Sequence, residues 1–277
     1  MSLRGVRAYH APMELKGAHV LITGASRGIG AAMAAEFAKA GSRVSLVARS
    51  ADALSAVAAA TGGTAFTADL LDADAVDDLV RRVEAEAGPI DVLVNNAGLE
   101  SSQWLAKETP QGIRDVVRLN MEAPVVLSSA VLPGMLQRGR GSLVYVSSLA
   151  GTAGFPGMTV YAGTKGGVTN FAASVRVELR DTPLEVTLVA AGPVDTGMWD
   201  RLEEKSEFDP ILRRMNTLHL IPKKSPELLA RRTVAAVKAG RRHVRVPRRL
   251  LATYWLGESP RRIAEWILAG VKFGAGR

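Results

Sequence analysis

A glycine-rich turn near the start of the chain limits its fold more than any other feature. Residues 18–23, Ala-His-Val-Leu-Ile-Thr, form a short apolar run that reads as a buried strand. They meet Gly24-Ala-Ser-Arg-Gly-Ile-Gly30, and an alanine-rich helix then runs to about Ala40. Strand, glycine turn and helix aim free backbone N–H groups and a helix N-terminus at a pyrophosphate. Glycine serves there because a side chain would hold the phosphate away from the backbone. Tight strand-to-helix turns also use glycine structurally, so the cluster takes its meaning from the rest of the chain.

The pattern then repeats strand by strand. Residues 43–48, 64–68, 90–94, 142–147 and 184–190 are short apolar runs of strand length, and residues 244–246 read as a seventh, edge strand closed by Pro247. Between them, residues 72–87 place Val76, Leu79, Val80 and Val83 at the i, i+3, i+4 and i+7 spacing of an amphipathic helix. Alternation at this pace predicts an α/β fold. It is a Rossmann-type doubly wound parallel sheet of about seven strands with helices on both faces. No repeat or linker interrupts it, so residues 13–249 read as one domain between an extension at 1–12 and a tail at 250–277.

Composition excludes several kinds of chemistry. The 277 residues include no cysteine, which removes disulfides, thiolate nucleophiles and cysteine metal sites. His10, His19, His219 and His243 show no ligand spacing, so no metal is expected. No uninterrupted apolar stretch reaches about 18 residues, so no membrane span is expected. The N-terminus lacks the apolar core of a signal peptide, which points to the cytoplasm.

The second strand ends at Ala48, where an acidic residue would hydrogen-bond the ribose 2′-hydroxyl of NAD. Arg49 follows it, and Arg27 stands inside the glycine turn. Two cations and no carboxylate suit the 2′-phosphate of NADP, so NADP(H) is favoured over NAD(H); the alternative is two ordinary surface charges. Asp69, after the third strand, is placed to accept from an adenine amine or to cap a turn.

A proton-transfer site lies further on. Tyr161 and Lys165 stand four apart on a helical segment, so ammonium and phenol share a face. A nearby positive charge favours the ionised phenol, which brings proton exchange toward neutral pH. Ser148, thirteen residues before the tyrosine, ends an apolar strand and can reach the same substrate oxygen if the loop folds back.

Taken together, Thr23-Gly-Ala-Ser-Arg-Gly-Ile-Gly30, Asn95-Asn-Ala-Gly98, Asn120, Ser148, Tyr161-Ala-Gly-Thr-Lys165 and Val194-Asp-Thr196 resemble the short-chain dehydrogenase/reductase family in order and spacing. The resemblance is to the compact branch and covers roughly residues 15–249. It implies Tyr161 as general acid/base during hydride transfer, with Lys165 holding the nicotinamide ribose and lowering the phenol pKa. Ser148 would orient the substrate oxygen, and Asn120 would anchor a relay water. The resemblance further implies cofactor contacts from Gly24, Ser26, Arg27, Gly28, Ile29, Gly30, Arg49, Asp69, Leu70, Asn96, Ala97, Gly98, Val194 and Thr196. One departure is Ala191-Gly192-Pro193, where the family usually has Pro-Gly a few residues before the threonine.

Residues 197–225 resemble the family's variable substrate cover. Met198, Trp199, Leu202, Phe208, Ile211, Leu212 and Met215 among its charges fit an amphipathic lid over an apolar substrate, or simple packing on the core. Phe155 and Met158 are further pocket candidates. The resemblance also implies a homodimer or homotetramer built on the helices of Asn120 and Tyr161. The alternatives to an NADP(H)-dependent oxidoreductase are an NAD-dependent enzyme of the same family and a non-catalytic nucleotide-binding regulator.

The net charge of +8 belongs to the tail. From residue 222 onward there are 14 Lys and Arg against 3 Asp and Glu, and before it 21 against 24. Arg248-Arg-Leu-Leu-Ala-Thr-Tyr-Trp-Leu256 and the segment with Ile263, Trp266, Ile267 and Val271 fit peripheral contact with an anionic membrane. Packing on the protein's own body or a subunit contact is favoured over it. No nucleic-acid motif is present, so nucleic acid is not an expected partner.

Overall fold

The computed structural model describes residues 12–152, 156–195 and 223–246, together with Thr217. Seven parallel strands form one sheet in the order β3-β2-β1-β4-β5-β6-β7. They are β1 His19–Thr23, β2 Arg43–Ala48, β3 Thr64–Thr67, β4 Val92–Asn95, β5 Ser142–Ser148, β6 Glu185–Ala191 and β7 His243–Val246. This is the doubly wound architecture expected from the alternating runs. Boundaries move by a residue or two, as with β4, which begins at Val92 rather than at 90.

Helices cover both faces, which explains why the central strands are continuous apolar runs rather than alternating ones. Successive strand residues point to opposite faces. Thus β1 sends Val20 and Ile22 into one core, with Met33 and Phe37 of helix α1 (Gly28–Lys39) and Leu54 of α2 (Ala51–Thr61). Leu21, between them, enters the other core. There the expected stripe Val76, Leu79, Val80 and Val83 of α3 (Ala73–Ala87) is buried, and the Asp72 carboxylate caps the helix by accepting from Asp74 N–H.

The same core receives a helical rod of 29 residues, Pro110–Arg138, long and apolar enough by length and composition to cross a bilayer. Its Ala123, Leu127, Val131 and Met135 are nonetheless committed to the sheet. The rod comprises α4 (Pro110–Val117), a π-turn at Arg118–Glu122 and α5 (Ala123–Arg138). Helix α6 (Thr159–Glu178) lies beside it, and α7 (Pro226–Lys238) packs with α1 on the opposite face.

Sheet order reverses between β1 and β4, whose following segments leave toward opposite faces. In open α/β sheets such a switch point opens a crevice beyond the carboxyl ends of the strands. Thr23 closes its floor. Its hydroxyl donates to Val94 O at 3.2 Å and accepts from the Asn96 and Ala97 N–H groups at 3.0 and 3.1 Å. The Asn96 amide returns bonds to the carbonyls of Thr23 and Gly24. Thr23 is 2 % exposed, so no water substitutes for its oxygen.

Replacing Thr23 by Val keeps the shape and orphans two N–H groups. The expected loss is about 2–3 kcal/mol of unfolding free energy, read from denaturant midpoints, because buried unsatisfied amides carry a desolvation penalty of that order.

Candidate active site

Six segments deliver the candidate residues to one edge of the sheet. The glycine turn follows β1, Arg49 follows β2, Asp69 and Leu70 follow β3, and Asn96, Ala97 and Gly98 follow β4. Ser148 ends β5, and Val194 follows β6. All strands are parallel, so all these ends point the same way. Thr196, Phe155, nearly all of the 197–225 segment and the tail from 250 lie outside the described residues.

The glycine turn has the shape of an anion cradle. Gly24 (φ 66°) and Gly28 (φ 56°) both take left-handed backbone that other residues avoid. A Cβ on Gly30 would strike the Gly24 carbonyl and come within 2.7 Å of the Asn96 amide nitrogen, so only glycine lets α1 sit this close to β1. No side chain caps the first turn of α1, and no acidic residue stands in it. The opening N–H groups of that helix therefore offer a positive end to a phosphate. Ser26, Arg27 and Ile29 line this turn, with Arg27 exposed. The residues present fit the diphosphate of a dinucleotide.

Arg49 is exposed at the end of β2, with its guanidinium 3.8 Å from the Asp69 carboxylate. The other Asp69 oxygen accepts from Leu71 N–H at 3.1 Å, so Asp69 does cap a turn, the plainer of its two expected roles. Leu70 beside it is buried. At β6 the strand ends at Ala191, Gly192 N–H bonds Val246 O at 2.8 Å, and Val194 pairs with Lys224 in a parallel bridge. The chain thus leaves the sheet on a defined course despite the displaced proline.

Ser148, Tyr161 and Lys165 come together because α6 is bolted to β5. Ser147 Oγ donates to the Lys165 carbonyl at 2.9 Å and shares a 2.8 Å bond with Thr169 Oγ1. Gly151 lies flat on the Lys165–Gly166 backbone, where a Cβ would come within 2.7 Å. The loop therefore folds back as the thirteen-residue spacing requires, and the Ser148 hydroxyl comes close enough to the Tyr161 phenol to favour its ionised form. Met158 is the residue before α6 and is half-buried.

Lys165 is 5 % exposed, and its Nζ donates to Val146 O at 2.9 Å and lies 5.7 Å from the centre of the Tyr161 ring. Burial pulls its pKa down to about 8. Burial also pushes the Tyr161 phenol above its ordinary value; the Ser148 hydroxyl opposes this and the Glu100 carboxylate adds to it. Proximity to an ammonium alone predicts a phenol moved toward neutrality. In the chain itself desolvation wins, because both groups are sunk in the core and the ammonium bonds a carbonyl rather than the phenol.

Asn120 sits in the π-turn and is 1 % exposed. Its Oδ1 accepts from Leu99 N–H, and its Nδ2 donates to Leu99 O, both at 2.8 Å, and to Thr164 Oγ1 at 3.1 Å. Thr164 in turn donates to the Tyr161 carbonyl. Asn120 therefore ties the loop after β4 to the helix of Tyr161. Motif spacing alone assigns no site role to Thr23, Thr164 or Glu100. The one signal for Thr164 is its place between Tyr161 and Lys165, one turn from the phenol.

The chain matches the family model described as short chain dehydrogenase over residues 18–207. It is 36 % identical over 200 residues to gluconate 5-dehydrogenase of Gluconobacter oxydans, covering 70 % of this chain and 78 % of that protein. It is 33 % identical over 194 residues to the 3-oxoacyl-[acyl-carrier-protein] reductase FabG of Vibrio harveyi, covering 69 % and 80 %. Its fold superposes on a short-chain dehydrogenase from Sphingobium yanoikuyae, solved in complex with NADPH. The TM-score is 0.77 at 27 % identity, covering 92 % of this chain and 98 % of that one. The chain belongs to the short-chain dehydrogenase/reductase family and is an oxidoreductase of that family.

Burying a charged lysine carries a stability consequence. The folded-state pKa of Lys165 lies below its unfolded value of 10.5, so stability falls as pH drops from 10.5 toward 8 and the loss is complete below that. At neutral pH the cost is on the order of 3 kcal/mol. Lys165→Met is expected to raise the unfolding free energy of the ligand-free chain at pH 7 by about 1–3 kcal/mol, with the gain shrinking as pH rises from about 8 toward 10.5 in denaturant titrations.

Proposed function

We propose that the protein interconverts a ketone or aldehyde and an alcohol with NADP(H), on a substrate with an apolar body. The observation that carries this reading is the approach of the Ser148 hydroxyl to the Tyr161 phenol at the carboxyl edge of the sheet, close enough to favour the ionised phenol, with the Lys165 ammonium 5.7 Å from the centre of the ring. Two O–H groups that meet there can both be turned toward one carbonyl oxygen.

When bound, the nicotinamide supplies or removes the hydride at the carbonyl carbon. The remaining work falls to the chain. Tyr161 gives its proton to the carbonyl oxygen as negative charge builds on it, and Ser148 donates to the same atom and stabilises that charge. With its pKa raised, the phenol is protonated at neutral pH, which is the form that reduction needs. Lys165 would hold the cofactor ribose and supplies positive charge beside the phenol. Asn120 holds the loop after β4 against the helix of Tyr161 and anchors the relay of protons away from the lysine. Gly24, Gly28, Gly30 and the start of α1 would hold the diphosphate, with Ser26, Arg27, Ile29, Leu70, Asn96, Ala97 and Gly98 in the same groove. Val194 and Thr196 would take the carboxamide.

Support for NADP(H) over NAD(H) comes from Arg49 and Arg27, both exposed at the mouth of the groove with no carboxylate at Ala48. The NADPH bound by the Sphingobium yanoikuyae protein is consistent with it. The Asp69 contact with Arg49 is solvent-exposed and weak, so a phosphate can displace it. The apolar side chains among residues 197–225 support the apolar substrate body. We further propose a homodimer or homotetramer in the cytoplasm, with the basic tail packed on the protein or against a neighbouring subunit in preference to a membrane.

The reaction is tested by following NADPH consumption across a broad panel of ketones and aldehydes. Tyr161→Phe keeps the ring and removes the proton, and is expected to lower turnover at least about a hundredfold. Near-full turnover in that variant would overturn the mechanism.

Cofactor choice is tested at Arg49. Arg49→Ala is expected to weaken NADPH binding at least about tenfold in calorimetric titration while leaving NADH within about twofold, as loss of one charge-assisted phosphate contact requires. Equal losses for both cofactors would return NAD(H) to contention.

A further inference from the structure

Resting on the oxidoreductase reading, we infer that Thr164 is a positioning residue for the proton transfer. Its hydroxyl locks the Tyr161 turn of α6 to Asn120 and so holds the phenol where the substrate oxygen meets it. Neither proton nor hydride passes through this group. Its part is to keep two other residues in register.

The turn it belongs to is a weak helix by composition. Three of the five residues 163–167 are glycine, and glycine is the poorest helix former after proline. Two of them admit close neighbours: a Cβ on Gly166 would stand 3.3 Å from the Gly151 carbonyl, and one on Gly167 3.2 Å from the Met121 sulfur. Close packing is gained there and stiffness is lost. The stretch that carries Tyr161 and Lys165 is therefore held from outside its own ladder, at two carbonyls. Lys165 O accepts from Thr169 Oγ1 at 2.8 Å and from Ser147 Oγ of β5 at 2.9 Å, and Lys165 Nζ is fixed on Val146 O. Tyr161 O accepts from Thr164 Oγ1 at 2.8 Å.

The Thr164 hydroxyl also reaches a second element. It accepts from Asn120 Nδ2 at 3.1 Å, and both residues are buried. Asn120 grips Leu99 through its N–H and its carbonyl, so one hydrogen-bonded path runs from the loop after β4, through the π-turn, to the backbone of the proton donor. In a buried pair no water takes the place of a lost partner. Removing the hydroxyl leaves the Asn120 amide and the Tyr161 carbonyl each short of a bond. Lys165 has its own anchors and stays in place. Loss of Thr164 thus moves the phenol against the reacting oxygen and spares the cofactor side. A displacement of about 1 Å at a reacting group costs about a hundredfold in rate.

The test uses the full chain, NADPH and the ketone that the panel reduces fastest, with Thr164→Val, Thr164→Ala and Thr164→Ser. Valine keeps the shape without the hydroxyl. Alanine also lacks it but raises helix propensity, which keeps a folded variant available. Both are expected to lower kcat at least about tenfold while the calorimetric Kd of NADPH stays within about threefold, and serine to keep kcat within about threefold. A double-mutant cycle reads the coupling: in the Asn120→Ala chain, Thr164→Val is expected to lower kcat by no more than about twofold further. Near wild-type kcat in the valine and alanine variants, a fall in NADPH affinity parallel to kcat, failure of serine to restore turnover, or full multiplication of losses in the cycle would each overturn the assignment. A wild-type chain that consumes no NADPH with any panel carbonyl would instead overturn the oxidoreductase reading, and this proposal with it.

Discussion

The fold turns on one polar junction in an otherwise apolar sheet. Where β1 and β4 part, Thr23, Asn96 and Gly24 exchange hydrogen bonds across the gap. The segments beyond them then diverge to opposite faces. Without that junction the two central strands would end in a row of unpaired amides beside the crevice. With it, the crevice has a rigid floor, and Gly30 can bring α1 against the Gly24 carbonyl so that the helix start overhangs it. Everything proposed for phosphate binding depends on this closeness, which leaves no room for a single extra methyl group.

The catalytic half of the edge is built on an opposite principle. There the chain sinks a lysine and a tyrosine into the core and holds them by side-chain bonds from Ser147, Thr164 and Thr169 rather than by apolar fit. Such groups are costly to bury, and residues that lower stability in this way are commonly those that function demands. The balance between Ser148 and Glu100 at the phenol belongs to the same pattern, one neighbour easing ionisation and the other resisting it.

Much of this is legible in the chain. β2 runs from Arg43 to Ala48 as its apolar run indicates, and all four stripe residues of α3 are buried. The glycine turn, the thirteen-residue return from Ser148 and the Tyr161–Lys165 face also follow from spacing. Other features leave no periodic trace. The helix runs on from residue 110 to residue 138, and nothing in the sequence marks the π-turn at Arg118–Glu122 that carries Asn120. The phenol's upward shift depends on how deeply the ring is buried, a property of the assembled layers.

The hydrogen-bond inventory of Asn120 sets a polarity. A side-chain amide has two hydrogens to give, and here both are already committed, one to Leu99 O and one to Thr164 Oγ1. What is left is a lone pair on Oδ1, on the side of Gly98 and Lys165. A visitor at this point can hand a hydrogen to the amide but cannot take one. A hydroxyl or water lodged between Asn120 and the lysine would therefore be oriented in one sense only, its oxygen turned toward the ammonium. The amide works as a one-way fitting, and traffic along this route inherits its direction from a backbone irregularity of a single residue.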